Sequence, residues 1–462
     1  MKNSNARKGN DKKIPSKFIY LVVIVFLLKL VIIFNIDGKQ AGSEQSMHYI
    51  KGIWLGADGE NYITSYKFLV SEGLFSKAFI LNFWPAGYPL FMLLVSLFSE
   101  SWIFISLSVV QSLIFSIAVF YFAKQIYRTR IQSYAFLILL LILLNPTLSL
   151  SSVAVGYESL CASGILISTA LIIKDFIEKK DGNFYMLLSL SSLIYGLISF
   201  MQPRLLVTGF LVNSIWLVAR KGIKVKAALI VASFVLTLFF PSTLVYRNYV
   251  ATKSLSISAN LGETMAVGAG PGANGKYKRR VMDVPCKTTG TVVEKDQQVV
   301  RCVLKWYVEN PAKSMHLFLN KTIYFWSPWT GPEASGTMGR NPWISFSPAI
   351  KIAAASPDGY KLVTGWFGKA VSWVWLLSGV FLLLYGFVIL YRLKELERLI
   401  AVIAIAIISS SWAISLMTLG DHRFRVPIMG LSLFLQGIAI KSLLNWGKPK
   451  KLNLQLRDKT AP

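Results

Sequence analysis

The sequence contains little charge for its length. Only 15% of its 462 residues are charged, whereas soluble proteins carry about 25%. The charges are missing from blocks of mostly about 17 to 25 residues, the length of helix that crosses a hydrocarbon core of about 30 Å. This pattern excludes a soluble globular enzyme, a disordered chain and a fibrous protein. It predicts an all-α polytopic membrane protein.

Acidic residues are scarcer than basic ones. The chain has 22 Asp and Glu against 49 Lys and Arg, a net charge of +27. In a membrane protein, such an excess is explained by anionic lipid headgroups and by the topology signals at helix ends. We therefore expect membrane lipids, and no nucleic acid, as the partners of these charges.

Histidine and the common motifs of soluble enzymes are also scarce. The three histidines, His48, His316 and His422, lack the spacing of metal ligands. There is no Walker A motif and no G-x-S-x-G element, which disfavours an ATP-driven pump and a serine hydrolase. No cofactor is required by these features, and a divalent metal is the one cofactor left open.

Cysteine occurs three times. Cys161 lies within an apolar run and is expected in the core. Cys286 and Cys302 have fifteen residues between them. They are a candidate disulfide in an oxidising compartment, where closing that loop would contribute about 3 kcal/mol.

Ten apolar runs are candidates for transmembrane helices. The first follows a polar, basic stretch and has no small-residue cleavage site after it, which is typical of a signal anchor. The runs are 18–34, 101–123, 131–148, 153–173, 184–200, 205–219, 227–246, 367–391, 399–418 and 426–445.

The distribution of Lys and Arg predicts the orientation of these runs. With the N-terminus in the cytoplasm, the segments on that side total 65 residues and contain 24 Lys and Arg, while the short outside segments total 65 residues and contain only 7. Cytoplasmic loops carry such an excess. We therefore expect a multi-pass protein of the plasma (inner) membrane with both tails, 1–17 and 446–462, in the cytoplasm.

One further apolar run, 85–98, is too short to cross the membrane. Counting it as a crossing would place Lys124, Arg128 and Arg130 outside, so we expect a juxtamembrane helix at the outer face. The resulting domains are a transmembrane module 18–246, an extracytoplasmic domain 247–366 and C-terminal helices 367–445.

Two segments are expected outside the membrane. The first, 35–84, has apolar residues at helical spacing, which predicts an amphipathic surface helix. The second, 247–366, begins with glycine-rich loops and is predicted to be helical over 296–309 and 312–326. Its many Trp and Tyr residues favour the headgroup layer, so this domain is expected to lie on the bilayer.

Three acids lie near the predicted outer ends of spans and are candidate catalytic groups. Asp58 and Glu60 open the surface helix of the first outside loop, and Glu158 opens the fourth span. Each is also suited to cap a helix, because acids favour the first turn. The residue types alone leave both interpretations open.

Five basic residues lie at a similar predicted depth. They are Lys29, Arg204, Arg247, Arg423 and Arg425. Arg pairs with phosphate oxygens through two parallel hydrogen bonds, so several converging here would hold a phosphate at the outer leaflet. The alternative for each is a long side chain that reaches back to the interface.

Four sequence elements occur in a defined order along 50–445. An acid is followed by a tyrosine in DGENY (Asp58 to Tyr62), and a W-P-x-G-Y-P element spans Trp84 to Pro89. A P…Y-R-N-Y element (Pro241 to Tyr249) leads into a glycine-rich loop. A G-D-x-R-[FY]-R-x-P element (Gly420 to Pro427) leads into the last span. With seven crossings before the large outside domain, the chain resembles the GT-C membrane glycosyltransferases, in particular the bacterial relatives of protein O-mannosyltransferases and lipid A aminoarabinose transferases.

The resemblance implies a GT-C-like bundle and a reaction. The donor would be a sugar on a polyprenyl-phosphate carrier, with the five basic residues at its phosphate. Asp58 would deprotonate an acceptor hydroxyl for a single inverting displacement. Tyr62, Tyr88 and His422 would contact substrate. Many relatives have adjacent Asp and Glu, whereas here Gly59 separates Asp58 from Glu60, so either acid is a candidate base.

Three other functions fit parts of the pattern. A transporter or flippase for an amphipathic lipid accounts for the spans and the arginines. A polysaccharide polymerase or ligase would use a polyprenyl-diphosphate donor, and a non-catalytic scaffold needs only the spans. The acceptor is a glycan, a lipid or a protein.

Overall fold

The fold is seen in a computed structural model. It describes residues 13–36, 49–55, 58–178, 181–220, 226–276, 284–326 and 366–445. All the candidate site residues lie within these ranges, whereas the expected cytoplasmic tail 446–462 lies outside them.

Helices make up most of the described chain. In the N-terminal half they are α1 (Ser16–Asn35), α2 (Gly59–Glu72), α3 (Phe79–Phe83), α4 (Gly87–Ser96), α5 (Ile103–Tyr127), α6 (Ala135–Leu144), α7 (Pro146–Leu150), α8 (Glu158–Glu178), α9 (Asp181–Met201) and α10 (Leu206–Ala219). In the C-terminal half they are α11 (Lys226–Thr252), α12 (Leu261–Val267), α13 (Val292–Glu309), α14 (Pro311–Trp326), α15 (Trp366–Tyr391), α16 (Glu395–Met417) and α17 (Met429–Leu444).

Eight helical segments within the described ranges are long and apolar enough to cross a membrane. They are α1, α5, α8, α9, α11, α15, α16, and α17 together with the 3-10 helix His422–Ile428 that leads into it. The chain is therefore a helical, multi-pass membrane protein, as the apolar runs predicted.

The other two predicted spans differ from a simple crossing. The run 131–148 forms two segments, Gln132–Leu144 and Pro146–Val153, that meet at an angle of 56°. The cause is local: a residue before proline is disfavoured in the α region, and Asn145 is extended and accepts a hydrogen bond from Leu148 N at 2.9 Å, which starts a new helix. The run 205–219 becomes α10, which has only 14 residues.

Short elements gather at one end of the bundle, here called the loop end. Helix α4 has 10 residues, about 15 Å at 1.5 Å per residue, so it cannot cross a 30 Å core; this agrees with the prediction for 85–98. Beside it lies a small sheet that sequence analysis did not predict. Strand β1 (Tyr49–Ile50) pairs antiparallel with β2 (Ile53–Leu55), which pairs parallel with β3 (Ala154–Val155).

Helix α8 is the centre of the bundle. It packs against α5 and α9, and nearly all of its side chains are buried. Its first residue, Glu158, lies at the loop end, three residues after strand β3 along the chain. Its last residue, Glu178, lies at the opposite end.

The opposite end carries basic residues paired with acids. Arg128 Nη1 lies 3.3 Å from Glu178 Oε1. Arg220 Nε lies 3.6 Å from Asp175 Oδ2, which also accepts a hydrogen bond from Trp216 Nε1 at 3.0 Å. These contacts fix the ends of α5, α8 and α10 relative to one another.

Helices α12, α13 and α14 form a separate small core at the loop end. Helix α13 begins with a capping box, in which Thr291 and Glu294 satisfy each other's backbone amides. Cys286 and Cys302 form a disulfide with their Cα atoms 6.0 Å apart, so this candidate pair is confirmed. Cys161 is buried in the main core and free, as expected.

Candidate functional site

Two acids and one arginine from three distant segments meet at the loop end. Arg423 Nη1 lies 2.8 Å from Asp58 Oδ2, and Arg423 Nε lies 3.1 Å from Glu158 Oε1. We call these three residues the acid–arginine cluster. The arginine is 7% exposed and Glu158 only 4%, so the pairing occurs largely away from water, where charge interactions are strong.

The backbone aims each member at the others. Asp58 is the N-cap residue of α2, yet its carboxylate makes no capping hydrogen bond. The structure therefore does not support the interpretation that the Asp58 side chain caps α2. Glu158 is the first residue of α8, where the helix dipole favours an acid. Arg423 lies in the 3-10 helix that precedes α17.

Asp421 orients that arginine. Its Oδ1 accepts a hydrogen bond from Arg423 N at 2.9 Å, which starts the 3-10 helix. The side chain of Asp421 thereby holds the backbone of the segment that carries Arg423.

A second arginine is linked to the cluster through Tyr157 and Gln202. Arg423 Nη2 donates to Tyr157 Oη at 3.2 Å. With its amide oxygen turned toward them, Gln202 accepts from Tyr157 Oη at 2.7 Å and from Arg204 Nε at 3.0 Å. The guanidinium of Arg204 also lies 3.5 Å above the ring of Phe424. The structure thus places Arg204 next to Arg423.

Aromatic side chains form a wall on the α2 side of the cluster. The ring of Tyr62 packs edge-on against Tyr157 at 6.2 Å, Tyr88 at 5.1 Å and Trp84 at 6.5 Å. Tyr88 is fully buried and donates to Gln111 Oε1 at 3.1 Å. Tyr62 and Tyr88 therefore shape the site as packed rings, and the structure does not place Tyr88 at an accessible surface.

The remaining candidate acid is Glu60. It is exposed in the first turn of α2. Asp58 shares Arg423 with Glu158.

Lys29 lies elsewhere in the bundle. Its Nζ donates to Ser152 Oγ at 3.0 Å and lies 4.4 Å above the ring of Phe115. Gln111 joins this group to Tyr88, because its amide donates to the backbone oxygen of Ser152. The structure thus places Lys29 beneath the aromatic wall rather than in the acid–arginine cluster.

Arg247 holds the loop that follows α2. Its guanidinium donates to the backbone oxygens of Leu74 at 3.1 Å, Ser76 at 2.5 Å and Leu81 at 3.2 Å, and to the side chain of Asn82 at 3.2 Å. These acceptors lie in the loop after α2 and in α3. The structure thus places Arg247 in a loop clamp and not beside Arg204 and Arg423.

Arg425 and His422 diverge from Arg423 because they follow different directions around the 3-10 helix. The guanidinium of Arg425 lies 5.8 Å from the ring centre of Trp326 in α14. His422 is fully buried, with Nδ1 4.0 Å from Asp421 Oδ1. The structure thus places Arg425 beside α14 and His422 beside Asp421.

Three residues that complete the site were not among the candidates selected from the sequence, although Asp421 belongs to the G-D-x-R element. They are Tyr157, Gln202 and Asp421. Tyr157 and Asp421 directly precede Glu158 and His422, and Gln202 lies two residues before Arg204. The sequence signal that could have identified these residues is a polar side chain close to a charged candidate along the chain.

No group of three or more His, Cys, Asp or Glu side chains in the described part of the chain is arranged to hold a metal ion. The cation beside Asp58 and Glu158 is the guanidinium of Arg423.

No protein-family model matches the chain, and no curated protein matches it.

Proposed function

We propose that the chain is a glycosyltransferase that moves a sugar from a polyprenyl-phosphate carrier to an acceptor hydroxyl at the extracytoplasmic face of the membrane. The observation that carries this proposal is the meeting of Asp58, Glu158 and Arg423. A carboxylate for proton removal and a guanidinium for an anionic leaving group are the two groups that such a transfer needs.

Asp58 is the better placed of the two acids to act as general base. Its side chain is 16% exposed, against 5% for Glu158. An acceptor can therefore reach Asp58, while Glu158 serves to hold Arg423 in place. This assignment also favours Asp58 over Glu60, because Asp58 Oδ2 lies 2.8 Å from Arg423 Nη1.

The carrier phosphate would compete with Asp58 for Arg423. A phosphate accepts two parallel hydrogen bonds from one guanidinium, so its arrival draws Arg423 away from Asp58 and leaves that carboxylate able to accept a proton. Arg204, joined to Arg423 through Gln202 and Tyr157, would supply the second positive charge.

The bond changes then balance in one displacement. The acceptor hydroxyl passes its proton to Asp58 and its oxygen forms a bond to the anomeric carbon. The bond from that carbon to the phosphate oxygen breaks, and its electron pair leaves with the polyprenyl phosphate. Arg423 and Arg204 stabilise the negative charge on the departing phosphate, and the configuration at the sugar is inverted.

The location at the extracytoplasmic face is supported by the opposite end of the bundle. Arg128 and Arg220 lie there, with Lys124 and Lys226 close by along the chain. Since basic residues mark the cytoplasmic side, the loop end and its acids belong outside.

A transfer assay tests the proposal. Purified protein in liposomes would be given radiolabelled polyprenyl-phosphate sugars and a panel of glycan, lipid and protein acceptors. Because general-base catalysis contributes about 10² to 10⁴-fold, Asp58→Asn should lose at least 100-fold in kcat. The exposed acid Glu309, changed to Gln, is the matched control.

Three outcomes would contradict this assignment. Loss of activity in Glu60→Gln with normal turnover in Asp58→Asn would move the base to Glu60. Movement of the lipid across the bilayer without sugar transfer would identify a transporter. Turnover only with polyprenyl-diphosphate donors would identify a polymerase or ligase.

A further inference from the structure

The turn between α16 and the 3-10 helix is held by residues of the small domain that contains α13 and α14. Helix α16 ends at Met417, and Arg423 follows six residues later. The position of the backbone at 416–420 therefore determines where the segment that carries Arg423 begins.

Lys321 of α14 is the main contact to this turn. Its Nζ donates to Leu416 O at 2.9 Å and to Thr418 O at 2.6 Å, the carbonyls left without helical partners at the end of α16. It also donates to Tyr307 Oη at 2.7 Å. The lysine is 0% exposed, so all three contacts are shielded from water.

The surrounding backbone fits closely around the same point. Gly420 N donates to Gly275 O at 2.8 Å. A Cβ on Gly268 would lie 2.2 Å from Thr418 O, and one on Gly420 would lie 2.6 Å from the Cα of Lys321. The turn is therefore fitted between the glycine-rich loop and α14, with no room for a side chain at Gly268 or Gly420.

We propose that Lys321 is a positioning residue, which acts through the 416–420 turn to hold Arg423 in the acid–arginine cluster. This inference rests on the proposed function, in which Arg423 holds the carrier phosphate. The Lys321 amine donates to two backbone oxygens at the end of α16 and to one tyrosine, so its contacts tether this helix end to α13 and α14.

Lys321→Met tests the inference, because it keeps the length of the side chain and removes every donor. A displacement of about 1 Å far from the chemistry can cost about 10²-fold in rate, so kcat should fall about 10- to 100-fold. Lys276→Met is the matched control: this lysine lies over Tyr324 of the same helix, 5.8 Å from its ring centre, and its removal should leave kcat unchanged.

A double variant separates positioning from general damage. In the Arg423→Lys background, adding Lys321→Met should cause little further loss, because the residue through which Lys321 acts is already impaired. The same loss in both backgrounds would overturn the proposal. Tyr307→Phe, which leaves the lysine and removes one partner, should cause a smaller loss and provides a second variant if Lys321→Met does not fold.

Hydrogen exchange gives a readout that does not depend on activity. The amides of residues 420–425 should exchange faster in Lys321→Met than in the wild type, while those of α8 stay unchanged. If the wild type transfers no sugar but this exchange increases, the proposed function fails and the tether stands. Unchanged exchange overturns the tether itself.

Discussion

Replacing Arg423 with lysine tests the geometry of the acid–arginine cluster. The guanidinium contacts Asp58 at 2.8 Å, Glu158 at 3.1 Å and Tyr157 at 3.2 Å through three different nitrogens. Lysine keeps the positive charge but has a single, more strongly hydrated ammonium. It can remain beside one acid, and we expect it to lose at least one charge-assisted hydrogen bond.

The magnitude follows from that loss. A hydrogen bond to a charged group contributes about 1.5 to 3 kcal/mol, which corresponds to about 10- to 150-fold in rate or affinity at 1.36 kcal/mol per factor of ten. Arg423→Ala is a poorer test, because leaving two acids without their cation is expected to cost about 3 to 5 kcal/mol in stability. Arg423→Lys keeps a cation beside the two acids, so the loss of stability should be smaller. The transfer activities of the variant and the wild type can then be compared.

The assay measures sugar transfer over a range of polyprenyl-phosphate-sugar concentrations. We expect Arg423→Lys to lower kcat/KM for the donor by about 10- to 150-fold. Arg128→Lys, at the other end of the bundle and paired with Glu178, is the control for a general effect of arginine replacement. If Arg423→Lys folds normally and keeps the donor dependence of the wild type, the phosphate is bound elsewhere and the cluster has another role.

Four further outcomes are expected. Cys286→Ser with Cys302→Ser should lower stability by about 3 kcal/mol, seen as a lower Tm that reductant does not lower further; an unchanged Tm would contradict this. Burial lowers the pKa of Lys321 from 10.5 to about 7, so the unfolded chain binds more protons between those values and stability should rise with pH from about 7 to about 10.5. Comparing Tm at several pH values should show this rise flattened in Lys321→Met, and an equal slope in both proteins would refute it. Arg247→Gln should lower Tm and leave donor KM unchanged, because its hydrogen bonds go to the loop after α2; a raised KM would return it to the phosphate site. A reporter fused after Arg130 should be active in the cytoplasm, and activity on the other side would overturn the orientation.

The helical elements were largely predictable because burial in lipid has a length requirement. Each of the ten apolar runs lies largely on helix in the structure, and 85–98 contains the short helix α4. The cause of the break, Pro146, is also visible in the sequence. A prediction from hydropathy does not detect the break, because hydropathy takes no account of the missing proline amide. The small sheet escaped prediction because its strands have only two or three residues each.

The candidate site was only partly predictable. Arg204 and Arg247 are both arginines near the end of an apolar run, and nothing in their surroundings along the chain distinguishes them. In the structure one joins the cluster through Gln202, and the other holds the backbone of the loop after α2. Their difference depends on which loop packs against each helix end.

The sequence by itself determined that the chain is helical and spans the membrane many times, because block length and missing charge are local properties that lipid requires of any segment. It also identified Asp58, Glu158 and Arg423 as charged residues near the ends of membrane spans, where placing a charge costs free energy. Only the tertiary structure decided that these three meet, because Glu158 and Arg423 are 265 residues apart along the chain. Their contact depends on α8 being surrounded by its neighbours and on the 416–420 turn being held by Lys321, and such long-range packing leaves no periodic trace in the sequence.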